Sequence, residues 1–370
     1  MKLALLCDSP DEHWPSMDVV GDMLRLHLPT PIQSEQVLRP IRPLTPNTTV
    51  NRLLLRFVDY PRLVRQNRSR FDLFHITDHS YSQLAHQLPP ERTVITCHDI
   101  DTFRSILEPD RDPRPYLFRA MTRRILTGLQ RAAHVACDSH ATREDLLRFK
   151  VLPPERMSVV PLGYHPTCSP LADEAADARA AKLLGTEGKT IDLLHVGSTI
   201  KRKRIDILLR VFAEVSQQIP KLRLLRVGGA FTAEQQNLLS DLGLQNQVLV
   251  LPFLDRETLA AIYRRAALVL LPSDAEGFGL PVAEAMACGT PVLASGLAVL
   301  REVGGTAATY APPGDVKAWS METLRLLTER RENPQLWQAR RETGLQQAAG
   351  FSWTNYSNRM ANVYNRLLYT

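Results

Sequence analysis

Leu270-Leu-Pro-Ser-Asp-Ala-Glu276-Gly-Phe-Gly-Leu-Pro-Val-Ala-Glu284-Ala-Met-Ala-Cys-Gly289-Thr-Pro-Val292 holds a strand end, a glycine loop and a short helix in one run. The apolar run stops at Leu271, which ends the strand. A helix is predicted from Pro281, whose missing N–H costs nothing at a first helical position, to Cys288. Gly289 then suits the left-handed residue that closes a helix, with Pro291 beyond it. A strand, a Gly-x-Gly loop and a helix N-terminus together form an anion site, because free amides and the positive end of the helix face the same point. Gly277 and Gly279 allow the backbone to approach a ligand closely. Glu284 is expected in the first turn of the helix and Glu276 just before it. Two carboxylates would repel phosphate, so hydroxyl groups are their natural partners, and the loop calls for a ligand with both a diphosphate and sugars. Taken singly, each acid also has a plain structural reading: Glu284 as a complement to the helix dipole, Glu276 as a loop salt bridge.

Outward from this stretch, short apolar runs alternate with helical segments, the pattern of α/β units around parallel sheets. Strands are expected at residues 2–7, 72–76, 93–97, 134–137 and 158–161, then at 191–196, 221–227, 248–251, 268–271 and 291–294. Helices are expected at 204–217 and 256–266, with a last one from Phe351 to Leu368. The reading gives a first Rossmann-like domain at 1–168, a linker region at 169–189 and a second Rossmann-like domain at 190–350. Residues 351–370 form a helix expected to pack back toward the first domain. No repeat of 20–50 residues is present.

A chain of 370 residues suits two ordinary domains. Its 44% hydrophobic and 23% charged residues are those of a globular protein. No run of about 18 apolar residues exists to span a membrane. The apolar start, Lys2 to Cys7, ends at Asp8, too short for a signal peptide, and reads as a buried strand; a cytoplasmic location is expected. The cysteines Cys7, Cys97, Cys137, Cys168 and Cys288 lack metal or redox spacing and read as buried thiols. The window 51–70 carries Arg52, Arg56, Arg62, Arg65, Arg68 and Arg70 among apolar residues, with one acid, Asp59. Such a segment can contact an anionic membrane peripherally, at its inner face, or form an ordinary helix with a basic face; Pro61 is expected to break any continuous helix.

The whole Glu276–Glu284 string resembles the E-x7-E segment of the retaining family-4 glycosyltransferases, the glycosyl transferases group 1. Asp192-Leu-Leu-His-Val-Gly197 followed by Arg202-Lys203 looks like the family's strand and phosphate loop. The segment from Leu251 through Leu254 to Tyr263 looks like its nucleotide-base region, and Leu300–Gly304 and Phe351-Ser-Trp353 also fit. The resemblance implies a GT-B fold: two Rossmann-like domains whose parallel sheets face a central cleft. It implies that Glu276 contacts the transferred sugar and Glu284 the ribose hydroxyls. Gly197, Ser198, Phe278, Gly279, Leu280 and Leu254 would bind the donor, while Lys203 and Arg202 neutralise the leaving diphosphate. Relatives often place an arginine where this chain has Ser198. In the first half, His98 and Asp99 resemble the family's His-Asp pair at the acceptor side of the cleft, with His98 near the sugar at the reacting centre and Asp99, Ser139 and Arg143 expected on the acceptor side. Asp138-Ser139-His-Ala-Thr-Arg143 resembles its loop-to-helix step; Ser139 also reads as a helix N-cap. The usual glycine pair after the first strand is replaced by Trp14-Pro-Ser-Met-Asp18.

On this reading the chain moves a hexose from a UDP- or GDP-sugar to a hydroxyl acceptor with retention, using no metal or other cofactor. Two fixed cations take the place a divalent ion has elsewhere. Three other readings compete with this one. A metal-dependent transferase would use Asp99-Ile-Asp101 or Asp110-Arg-Asp112, formal D-x-D strings. A nucleotide-sugar epimerase would share the fold. A nucleic-acid-binding protein is suggested by a pI near 9.1, but the net charge of +6 is mild and no recognition motif supports it. No nucleic-acid partner is expected.

Overall fold

The computed structural model describes residues 1–12, 15–185 and 190–369. Trp14 and the end of the expected linker, residues 186–189, lie outside the described residues. Two six-stranded parallel sheets carry the fold. The first contains β1 (Lys2–Leu6), β2 (Gln33–Val37), β3 (Leu73–Ile76), β4 (Thr93–Cys97), β5 (His134–Cys137) and β6 (Met157–Val159), in the order β2-β1-β3-β4-β5-β6. The second contains β7 (Ile191–Val196), β8 (Leu222–Val227), β9 (Val248–Leu251), β10 (Leu268–Leu271), β11 (Val292–Ser295) and β12 (Thr309–Ala311), in the order β12-β11-β10-β7-β8-β9. Helices cover both faces, so the inner strands are buried on both sides and largely apolar, as β10 with Leu-Val-Leu-Leu shows. The sheet edges are β2 and β6 in the first sheet and β12 and β9 in the second; of these, β2, Gln-Ser-Glu-Gln-Val, and the short β12 lack the apolar run that betrays a buried strand.

The chain divides into two compact units, each with its own core. One comprises Met1–Gly163 with the C-terminal segment from Ser352; the other is Tyr164–Phe351. The C-terminal helix Trp353–Tyr369 is built into the first unit. Its Tyr356, Met360, Val363 and Tyr364 are buried, and Tyr364 hydrogen-bonds His75 Nδ1 at 2.7 Å. A side chain at Gly163 would collide with the backbone of Trp353, which explains a glycine at that crossing.

Two expectations are corrected. The region 169–189 holds a helix, Glu174–Leu184, capped by Asp173 and closed by Gly185 at φ 62°. Its alanines are a packing face: Ala176, Ala180 and Leu184 are buried, and Asp177 pairs with Arg264 at 2.5 Å. Pro61, in turn, does not break the 51–70 segment. Helices Thr48–Leu54 and Tyr60–Asn67 are joined by a wide turn over Leu55–Asp59, in which the Tyr60 N–H reaches back to the Leu55 carbonyl. That turn absorbs the N–H that the proline lacks.

In a doubly wound sheet, ligands bind beyond the C-terminal strand ends where neighbouring connections leave in opposite directions. The strand orders put that point between β1 and β3 in the first unit and between β7 and β10 in the second.

Candidate active site

At the β7–β10 point, the loops following the two strands are tied together. Beyond β7, residues Lys201–Lys203 form a tight turn. The Arg202 carbonyl accepts from the Asp274 N–H at 2.8 Å, and the Arg202 guanidinium donates to the Ala275 carbonyl at 2.7 Å. Arg204 bridges Asp206 and Asp274, each at 2.9 Å. The basic run 201–204 is therefore a brace between loops as well as a source of charge.

Glu276 lies inside this brace, its side chain 6% exposed. Its Oε1 accepts from Lys203 Nζ at 2.6 Å and from Ser273 Oγ at 2.7 Å, and its Oε2 from Arg202 Nη1 at 3.3 Å. Burial alone would raise its pKa; the Lys203 ammonium and the Arg202 guanidinium outweigh that and hold the carboxyl below the usual range. Glu284 differs. It is buried, accepts from the Tyr263 hydroxyl at 2.9 Å, and has its pKa raised by burial, which that bond and Arg256 offset only in part. The pair thus offers one fixed anion and one carboxyl of raised pKa.

The helix runs Leu280–Ala287, one residue earlier than expected at both ends. Glu284 consequently sits beyond its first turn, and the dipole reading of that acid falls away. Gly279 precedes the helix at φ 92°, where any side chain would press into Leu300. Phe278 turns its ring inward against Phe351, 5.6 Å between centroids, leaving its backbone to the loop. Among the described residues, the amides of Phe278 and Gly279 have no backbone acceptor. Leu280 and Ser198 are half-buried at the mouths of their loops. Gly197 donates its N–H to the Val227 carbonyl at 3.0 Å, and Gly228 packs so closely on Gly197 that a Cβ would strike its carbonyl oxygen.

Leu254 is half-buried beyond β9, toward the sheet edge. Its neighbour Phe253 is 61% exposed and lies beside Gly229, a flat apolar surface the sequence reading did not single out. Ser273 and Tyr263, which fix the two glutamates, were likewise not singled out.

In the first unit, the residues after β1, β3, β4 and β5 bring together a dense polar group: Asp8, Asp78, His79, His98 and Asp138, all buried. His98 Nδ1 donates to Asp138 Oδ2 at 2.5 Å, and Nε2 to the Thr77 carbonyl at 2.9 Å. The Thr77 carbonyl needs an N–H at Nε2, and a proton is shared between Nδ1 and Asp138, whose own pKa is raised by burial against the pull of His98. Burial would lower the His98 pKa, but Asp138 and Asp78 outweigh this and push it up to about 10. His98 is thus a locked ring whose two nitrogens are already used. Asp99, partly exposed, accepts from the Asp101 N–H at 2.9 Å. Ser139 caps the helix His140–Arg148, and Arg143 faces Glu144 at 3.2 Å. Of the D-x-D acids, Asp101 pairs with Arg104 and Asp112 with Arg114, both at 2.8 Å. All five cysteines are buried and free.

In the 51–70 window, Leu55, Tyr60 and Val64 are buried, with Phe57 and Leu63 packed against them, while Leu53 and Val58 are exposed. Arg56 is bound to Glu12 and lies over the Tyr81 ring, and Arg70 pairs with Glu35. A different surface is apolar and basic. Tyr116 and Leu117, 81% and 75% exposed, and the exposed Phe118 open the helix Tyr116–Arg131, among the exposed Arg111, Arg114, Arg123 and Arg124. No helix among the described residues is long and apolar enough to cross a membrane.

Two family models match successive parts of the chain: Glycosyltransferase Family 4 over residues 19–167 and Glycosyl transferases group 1 over 179–343. The O-antigen chain mannosyltransferase B of Escherichia coli is 28% identical over 316 residues, 83% of this chain and 79% of the relative. A D-inositol 3-phosphate glycosyltransferase of Segniliparus rotundus is 34% identical over 240 residues, 60% of this chain and 50% of the relative. The match thus spans about half of the inositol-phosphate enzyme. Among solved structures, a sucrose-phosphate synthase from Thermosynechococcus elongatus aligns at TM-score 0.78 and 21% identity, over 99% of both chains. Anabaena HepE in complex with UDP and glucose also aligns at 0.78, at 18% identity, over 99% of this chain and 100% of that one. These likenesses show the GT-B fold.

Proposed function

We propose, since the chain belongs to the family-4 glycosyltransferases, that it moves a hexose from a UDP- or GDP-sugar to a hydroxyl acceptor, with retention and without a metal ion. One observation carries this reading: Lys203, Arg202 and Glu276 form a buried ionic group at the β7–β10 point, where the loop amides and the helix N-terminus converge. Two cations against one carboxylate leave a net positive charge for a departing diphosphate. They are held in place before any reaction begins, the arrangement that stabilises developing charge most effectively. The Phe278 and Gly279 amides add donors to the same oxygens. Glu284, its pKa raised by burial and its side chain oriented by Tyr263, suits a pair of ribose hydroxyls, which its oxygens can accept from.

Glu276 is unsuited to attack the anomeric carbon, because its charge is already shared among Lys203, Arg202 and Ser273. We therefore assign it to orienting the sugar, and the reaction to a front-face displacement. The bond from the anomeric carbon to the phosphate oxygen breaks, a bond to the acceptor oxygen forms on the same face, and the acceptor proton passes to the departing phosphate. His98, a fixed ring with both nitrogens engaged, contributes a rigid strand end rather than a proton. The test is transfer from UDP- and GDP-hexoses to glycoside acceptors in EDTA, with the anomeric configuration read by NMR. Retained configuration and EDTA resistance are expected; inversion, or activity restored only by a divalent ion, refutes the finer reading. Conversion of donor without acceptor would favour the epimerase.

A membrane-bound acceptor is supported by the exposed Tyr116-Leu117-Phe118 and the arginines around it, apolar insertion beside anionic headgroup charge. The start of the helix at 116–131 is thus a second candidate surface for that role beside the 51–70 segment.

A further inference from the structure

Strand β8 carries Arg226 at its C-terminal end, and this arginine is fully buried. Among the described residues its Nε and Nη1 have no hydrogen-bond partner, and its Nη2 reaches only the Gly228 carbonyl, at 3.4 Å. Its neighbour in register on β7 is His195, also fully buried, with neither ring nitrogen bonded. The two side chains share one face of the sheet. His195 is kept neutral by burial, reinforced by Arg226 and Lys203, so it supplies no counter-charge. Desolvation lowers the Arg226 pKa to about 10, with no carboxylate opposing the shift, so the guanidinium remains charged at neutral pH. Glu276, the buried anion of the site, is engaged by Lys203 and Arg202.

A buried cation without an anion is strongly unfavourable in a folded protein, and here it lies against the phosphate loop. A Cβ built on Gly228 would sit 3.0 Å from Arg226 Nη1 on one side and against the Gly197 carbonyl on the other. One on Gly197 would sit 3.5 Å from Lys203 Cε. The guanidinium is therefore separated from the loop's ligand-facing side only by the Gly197–Gly228 backbone contact. Within the protein, where screening is weak, its field crosses such a distance with little loss.

We infer that Arg226 is a positioning residue for the donor: its buried charge, acting through the Gly197–Gly228 backbone, selects for the diphosphate of a nucleoside diphosphate at this site. This rests on the nucleotide-sugar reading given above. The strain of the unpaired cation in the free protein is relieved when a dianionic group settles on the loop, so binding and local stability are coupled.

The test compares wild type, Arg226→Lys and Arg226→Met by isothermal titration with UDP, UMP and uridine, or the guanosine series if that is the one bound, and by thermal unfolding without ligand. Arg226→Met is expected to weaken nucleoside diphosphate binding at least tenfold and the nucleoside less than twofold, while ligand-free unfolding occurs at the wild-type temperature or above. Arg226→Lys keeps the charge and should retain most of the affinity. A merely structural arginine would give the opposite signature. Lowered thermal stability or failure of Arg226→Met to fold, an equal loss for nucleoside and diphosphate, or unchanged diphosphate affinity overturns the inference. Wild type that binds no nucleotide at all refutes the donor assignment itself.

Discussion

Removing the Lys203 ammonium should expose how the site spends its stability on charge. Lys203 Nζ and Glu276 Oε1 are 2.6 Å apart, with side chains 10% and 6% exposed. At an effective dielectric of about 20, opposite charges roughly 3 Å apart attract by about 5–6 kcal/mol, much of it offset by desolvation. Lys203→Met deletes one partner and strands the other. Breaking a buried pair costs roughly 3–5 kcal/mol; because Ser273 and Arg202 still serve Glu276, the lower end, about 3 kcal/mol, is expected here. For a unit the size of Tyr164–Phe351 that is a Tm decrease of about 6–12 °C. Glu276→Gln should destabilise by a similar mechanism, since it leaves the ammonium facing an amide. The double variant removes both charges and should recover a large part of the loss, giving a coupling of about 1.5–3 kcal/mol in a double-mutant cycle. Transfer activity should not recover, because the leaving-group cation and the sugar contact are both gone. The assay is urea unfolding of the four proteins beside initial rates. The pair's contribution also has a pH signature. A carboxyl held below its unfolded value of about 4.3 stabilises the fold above that pH, and the contribution is lost as pH falls through the lowered native pKa. Additive single effects, or a Lys203→Met protein with wild-type stability, would refute the claim that the ion pair organises the loops.

Other outcomes follow from the same geometry. Tyr263→Phe removes the one hydrogen bond shown on Glu284 and should weaken nucleotide binding by about 1–2 kcal/mol, read by calorimetry, with turnover at saturating donor little changed. Because the Glu284 pKa is raised in the fold, its stabilising effect is complete below the unfolded value and lost as pH rises through the native one; Glu284→Gln should flatten that part of the Tm–pH curve, and an unchanged curve would contradict it. His98, pushed up to about 10, stabilises the first unit fully below pH of about 6.5, and that support disappears as pH climbs toward its native pKa; His98→Gln should abolish the decline seen by circular dichroism between those limits. Replacing Tyr116, Leu117 and Phe118 with serine should release the protein from anionic vesicles, whereas neutralising Arg52, Arg62 and Arg65 should not; the reverse pattern would give the membrane role to the 51–70 segment.

What the sequence disclosed, and what it hid, divides along one physical line. Inner strands announce themselves because both faces are buried, which favours largely apolar runs; the eight inner strands were legible for that reason, and the edge strands β6 and β9 because they too are mostly apolar. Strands β2 and β12 were not, since an edge strand needs only half its surface covered and can be as polar as Gln-Ser-Glu-Gln. The alanine helix at 174–184 was hidden differently: small residues carry little periodic signal, yet they let helices approach closely. At the site, the motif loops were visible because glycine and proline positions are dictated by local backbone geometry. Their supporting partners were not, because those are fixed by topology: Asp138 reaches His98 across adjacent strands, Tyr263 reaches Glu284 between helices, and Arg226 meets the Gly197 loop through strand register. A locked histidine ring, a carboxyl of raised pKa and an unpaired guanidinium are all consequences of which strands lie side by side. Chemistry of this kind is set by the fold's strand order as much as by the residues that would touch the substrate, and relatives sharing the loop motif can therefore differ in donor without differing in the motif.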